Sequence, residues 1–188
     1  MRELNQHWMT SILCRATKSI SPEYFLLPVA GQERPVYRER VYCYELYHQI
    51  RTCCWPNNGT SYSLGGEVDK DGQPAYKGTD LEKTKPDFLV HVPGELDRNE
   101  VVMEVKPINC DRRGIKKDLQ TLTAYRRYPA DYQRAILLVY GDFQDVFDRL
   151  KRWMKKMASQ KTEEPIDLHR IELWHHATCG QAAKNVEW

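Results

Sequence analysis

The chain reads as an α/β protein, a mixed central sheet flanked by helices. Three observations carry that reading. Residues 88–92 and 101–105 are short apolar runs joined by a short polar link, which predicts an antiparallel hairpin. Ile115, Leu119, Leu122 and Tyr125 recur at steps of four, three and three, the spacing of an amphipathic helix. The almost wholly apolar run 135–140 follows, the composition of a strand buried on both faces.

The elements follow in order. Leu4, Trp8, Ile12 and Arg15 lie near helical spacing and predict a short N-terminal helix. Pro22, Pro28, Gly31 and Pro35 mark an irregular connection. Val41, Tyr44, Tyr47 and His48 favour a helix over 36–54, stopped by Pro56-Asn57-Asn58-Gly59. Turn-forming residues crowd 65–78, where Asp71-Gly72 suits the turn of a hairpin. Pro93-Gly94 and Pro107 end the two central strands, and Pro129 closes the helix after them. Gly141-Asp142 is expected to cap a helix carrying Val146, Phe147, Leu150, Trp153, Met154 and Met157 on one stripe. A last strand is expected over 168–174.

The 188 residues suit one domain, and 41% hydrophobic residues suffice for a real core. No apolar run approaches the ~20 residues of a bilayer span, and the N-terminal stretch shows no signal-peptide pattern. The expected compartment is therefore the cytoplasm, with the six cysteines as free thiols. A net charge of +2 excludes a histone-like binder but not local patches that cancel. His169, His175, His176 and Cys179 match no familiar zinc spacing. Neither a nucleophile elbow nor a phosphate-binding G-x-x-x-x-G-K-[ST] loop is present.

The informative stretch is Lys85-Pro86-Asp87-Phe88, followed by Met103-Glu104-Val105-Lys106. Residues two apart on a strand point to one side, so Glu104 and Lys106 project together while Val105 packs behind. In a hairpin Asp87 lies beside them. Two carboxylates form a hard oxygen site suited to Mg²⁺, with Mn²⁺ as substitute and the Val105 carbonyl as a further ligand. A metal there lowers the pKa of bound water and offsets charge on a phosphate. Lys106 adds a compact cation for the phosphate or the attacking water. A bland reading competes, since Glu-x-Lys on a strand is also an ordinary exposed ion pair.

Pro86-Asp87 followed 17 positions later by Glu104-Val105-Lys106 resembles the PD-(D/E)xK nuclease superfamily, the restriction-endonuclease-like fold. The resemblance covers about residues 36–140, leaving 1–35 and 141–188 as additions. It implies metal-dependent cleavage of nucleic acid, most commonly DNA, in defence or repair. Members often carry a Glu on the preceding helix, and Glu45 matches that position as a further catalytic or metal-binding acid. Lys117-Asp118-Leu119-Gln120 fits the helix after the core strands.

Other residues stay open between two readings. Glu67 either supplies a ligand or ends a hairpin. His48, three after Glu45, either approaches the site or lies in core or surface. Gln120 either faces the site or is solvated. Arg112, Arg113, Lys116 and Lys117 are the better candidates for phosphate contact, and Tyr125 and Tyr128 for stacking or core packing. Arg149, Lys151, Arg152, Lys155 and Lys156 read as a solvated face. The expected partners are nucleic acid, a second copy of the chain, or a protein supplying specificity. The competing functions are an inactive nucleic-acid-binding or protein-interaction module of the same fold, and an RNA-cleaving enzyme.

Overall fold

The apolar runs at the centre of the chain become the middle of one sheet. The computed structural model describes residues 8–55, 60–69, 73–160 and 165–188. Six strands, β1 (Ser63–Gly66), β2 (Phe88–His91), β3 (Asn99–Pro107), β4 (Arg134–Tyr140), β5 (Ile171–His176) and β6 (Lys184–Val186), stand in sequence order across it. The pairs β1–β2, β2–β3 and β5–β6 are antiparallel, and β3–β4 and β4–β5 are parallel. The expected hairpin is the β2–β3 pair, with Phe88 opposite Met103. The expected buried strand is β4, central and covered on both faces.

Helices α1 (Trp8–Lys18), α2 (Pro22–Phe25) and α3 (Glu39–Gln49) cover one face. Met9, Leu13, Phe25, Tyr42 and Leu46 pack there on Met103, Val105, Leu138 and Tyr140. Helices α4 (Arg112–Tyr125) and α5 (Gln144–Ala158) cover the other, where Ile115, Leu119, Phe147 and Met154 meet Val102, Leu137, Val139 and Leu173. The strict alternation of β3 divides its residues between the two cores. At roughly 25 cal/mol per Å² of apolar surface, burial on both faces makes the sheet centre the most strongly held part of the chain.

Several boundaries differ from expectation. Within the described residues α1 starts at Trp8, and Leu4 lies outside them. Helix α3 continues into a π-helical turn, Ile50–Cys54. No local hairpin forms over the described part of 65–78. Ser63–Gly66 instead pairs with β2, Gly66 opposite Phe88, because β2 offers an open edge. The Asp71-Gly72 turn and the Pro56-Asn57-Asn58-Gly59 stop lie outside the described residues. The expected last strand begins as a single 3-10 turn, Leu168–Arg170, and becomes β5 only from Ile171. The short β6 was not expected, since Lys184-Asn185-Val186 carries no alternating pattern.

The two caps contrast. Asp111 caps α4, accepting from the Gly114 N–H at 2.8 Å. Asp142 does not cap α5; its carboxylate accepts from the Tyr37 hydroxyl at 3.1 Å. Gly141 is required by packing: at φ +131° a Cβ would stand 2.4 Å from Ile108 Cγ2. No helix among the described residues is long and apolar enough to cross a membrane.

Candidate active site

β2 is four residues long and β3 nine, so β3 runs on beyond its partner. Asp87 stands where β2 begins, held by Pro86 on one side and the buried Phe88 on the other. Its N–H donates to Glu104 Oε2 at 3.4 Å, and its own Oδ2 accepts from the Val105 N–H at 2.8 Å. Asp87 and Glu104 are thus brought side by side. A strand residue's N–H and C=O leave on the same edge, so the Val105 carbonyl faces the side where Asp87 sits.

Both acids are raised above the ordinary carboxylate range. Burial is the main cause at each. At Asp87 the Val105 N–H and Lys106 pull the other way and only partly offset burial. At Glu104 the charges of Asp87 and Asp118 add to burial, and the carboxyl is pushed well up. The contact acts unequally: Asp87 disfavours ionisation of Glu104, while the hydrogen bond with Glu104 favours the charged form of Asp87.

Lys106 projects from the same face of β3 as Glu104. Its ammonium meets Glu39 Oε1 at 2.9 Å and Asp118 Oδ2 at 3.3 Å. The Asp118 contact is an ion pair. Burial alone would lower the lysine, yet Asp118, Glu39 and Asp87 outweigh it and hold the ammonium more firmly than usual. Asp118 is pushed up to about 6, by burial first and against the pull of Lys106.

Glu39 and Asp118 were not among the expected site residues. Asp118 carried a legible signal, because it falls inside the apolar stripe of α4, three after Ile115 and one before Leu119. Glu39, between two arginines at the start of α3, carried none.

Glu45 makes no hydrogen bond or ion pair with the group among the described residues. Its carboxylate accepts from Gln49 Nε2 at 2.7 Å on the same helix, and Asp87, Glu104 and Lys106 are not among its hydrogen-bond or ion-pair partners. Helical phase distinguishes the two acids: Glu39 and Glu45 lie roughly 120° apart around an ideal helix axis. Glu67 does come close. Its N–H donates to the Asp87 carbonyl at 3.1 Å, and its carboxylate pairs with Arg40 at 3.5 Å and Lys85 at 3.8 Å. It has φ +47°, a left-handed conformation uncommon outside glycine. His48 is exposed on α3.

Gln120 and Lys117 line a depression of about 340 Å³ with Lys83, Thr84 and Arg127. Arg112 lies over the Trp153 ring, 5.4 Å from its centroid, and shares a groove with Lys116 and Lys156 between α4 and α5. Arg113 is exposed beside them. Tyr125 is buried and Tyr128 exposed. His175 stacks on Phe147 and His176 bonds the Tyr42 hydroxyl, on opposite faces of β5.

Among the described residues no group of three or more His, Cys, Asp and Glu side chains is set to hold a metal ion. Mg²⁺ asks for less, because it keeps several waters and takes one or two carboxylates. The Asp87–Glu104 pair with the Val105 carbonyl fits that requirement by donor chemistry. Comparison with protein-family models, curated proteins and solved structures finds no match.

Proposed function

We propose that this protein is a divalent-metal-dependent nuclease of restriction-endonuclease-like fold, hydrolysing phosphodiester bonds in DNA. The observation that carries the reading is the half-buried Asp87 at the start of β2 beside the buried Glu104 of β3, each raised chiefly by burial, with a lysine two residues on. The sheet order and the helix layer on each face support the same reading.

Asp87, Glu104 and the Val105 carbonyl would hold Mg²⁺ or Mn²⁺. When bound, the metal supplies a Lewis acid and a water of lowered pKa. The Val105 N–H orients the Asp87 carboxylate. Lys106 is held as the ammonium by Glu39 and Asp118, so it works as a positive charge against the phosphate rather than as a proton acceptor. Arg112, Arg113, Lys116 and Lys117 at the start of α4 offer further phosphate contacts. Such an enzyme would act in the cytoplasm, in defence against foreign DNA or in repair, alone, as a homodimer or with a specificity-giving partner.

The test is digestion of DNA and RNA side by side with Mg²⁺ or Mn²⁺, for wild type and Asp87→Ala, Glu104→Ala and Lys106→Ala. Activity surviving all three substitutions would remove this site. One observation favours a second reading, an inactive binding module: Lys106 is already engaged by two carboxylates. Calorimetric titration with Mn²⁺ decides, since binding lost in Glu104→Ala speaks for the enzyme and no binding for the module.

A further inference from the structure

Beside the carboxylates lies a cleft of about 410 Å³ whose aromatic wall no role above uses. Its walls are Cys43, Tyr44, Tyr47, Gly66, Glu67, Asp87 and Phe88. The volume falls in the range that takes a single small ligand. Tyr44 and Tyr47 are one turn apart on α3 and so share a face. Tyr47 is anchored, its hydroxyl donating to the Leu64 carbonyl at 3.4 Å. Tyr44 is 62% exposed, an unusual cost for a large ring in a chain whose other aromatics mostly pack. Gly66 lies against the same wall: a Cβ there would make ordinary contact with the Tyr47 ring at 3.5 Å and the Asp87 carbonyl at 3.7 Å.

Charge is arranged around the rings. Arg40, one turn before Tyr44, is exposed and so is His48, one turn after it. Arg40 and Lys85 stand at the rim, paired with Glu67. None of the residues lining the cleft is a lysine or arginine, so nothing inside it holds a phosphate directly. The cations at its rim attract one.

We propose that the cleft receives an unpaired nucleobase of the substrate, stacked on Tyr44, and that the chain therefore prefers single-stranded nucleic acid. This rests on the nuclease reading. A flat neutral ring suits a cleft walled by Tyr44, Tyr47 and Phe88 and lacking a lysine or arginine, and every base offers a π face, so the contact tolerates any sequence. A base inside a duplex is already stacked and paired. It enters only from a single strand, a frayed end or a loop.

The full-length chain is titrated, with Ca²⁺ in place of Mg²⁺, against a single-stranded oligonucleotide carrying 2-aminopurine and against the same strand in a blunt duplex. The expected result is tighter binding of the single strand with a change in 2-aminopurine emission. Tyr44→Ala should weaken single-strand binding by roughly tenfold and abolish the emission change, while leaving duplex binding within about twofold. Tyr44→Phe should restore both, which shows that the ring and not the hydroxyl acts. Equal binding of the two forms, or a Tyr44→Ala variant that binds and reports like wild type, overturns the proposal. Mg²⁺-dependent cleavage is scored separately. Cleavage without Tyr44 dependence removes the stacking site and spares the nuclease. Tyr44-dependent stacking without cleavage does the reverse.

Discussion

Arg134 and Glu172 meet at the start of β4 as one cation and one carboxylate, whereas the far end of β3 sets four carboxylates around a single lysine. In the first cluster the guanidinium is bidentate, with contacts of 2.6 and 2.8 Å, and Trp174 and Asn185 donate to the same carboxylate. Burial alone would raise Glu172, but these partners outweigh it and hold the acid below its ordinary range. In the second cluster Asp87, Glu104 and Asp118 are all raised. Both lie on one sheet and both are largely shielded from water. The difference teaches that burial does not mark a functional site, because a balanced pair can be structural. A buried cluster whose acids outnumber its cations is where the proposed metal ion would act.

That contrast can be broken or sharpened by experiment. The largest effect is on hydrolysis. Asp87→Asn and Glu104→Gln should each lower the Mg²⁺-dependent rate by about a thousandfold, the scale of several kcal/mol of lost charge stabilisation. Glu172→Gln should leave the rate per folded molecule unchanged.

Stability should answer in the opposite sense. Glu172→Gln strands a partly buried guanidinium and should cost about 3 kcal/mol, a fall in Tm of roughly 6–12 °C, with or without metal. Glu104→Gln should raise the metal-free Tm by a few degrees, because it relieves repulsion. Saturating Mn²⁺, at about a hundred times its Kd, should stabilise wild type by about 2.7 kcal/mol and leave Glu104→Gln unmoved. A Glu104→Gln variant less stable than metal-free wild type would sink the idea of an uncompensated site.

The pH dependence follows with the same sign. Asp87, Glu104 and Asp118 keep protons in the folded state at pH values where the unfolded chain, with carboxylates near about 4, has released them. The native state then binds more protons than the unfolded one, so stability falls as pH rises. With chelator present, melting curves should show this cluster destabilising the protein increasingly as pH rises from about 4, with the Asp118 share complete above about 6. The advantage of Glu104→Gln over wild type should shrink on acidification. Glu172, held low, contributes in the opposite direction and loses its contribution only as pH falls through its folded value.

The smallest effect separates two residues of one helix. Glu39→Gln releases one of the two carboxylates on Lys106 and should change the rate by about tenfold, the scale of one charge-assisted hydrogen bond. Glu45→Gln should stay within about twofold of wild type.

The sheet centre was legible because its strands are apolar runs with clear stops, and the pairing of Asp87 with Glu104 followed from strand periodicity. The rest was hidden for physical reasons. Ser63–Gly66 has too little side chain to show a pattern and becomes a strand only because β2 offers it an edge. Glu45 and Glu39 are both acids on α3, and only the phase of the helix against the sheet tells which one reaches Lys106. Asp118 was readable in hindsight, since a charge inside an apolar stripe asks for a partner. Tyr44 gave the sequence reading a helical apolar position, yet it is one of the most exposed rings of the described chain.

The outer strands have a consequence for assembly. β1 offers four residues and β6 three, with exposed Lys184 on the latter. Such short edges, one of them bearing a charge, are poor templates for extending a sheet into a neighbouring molecule. Any second copy of the chain would therefore have to meet the first through helices or loops, with the two sheets kept apart.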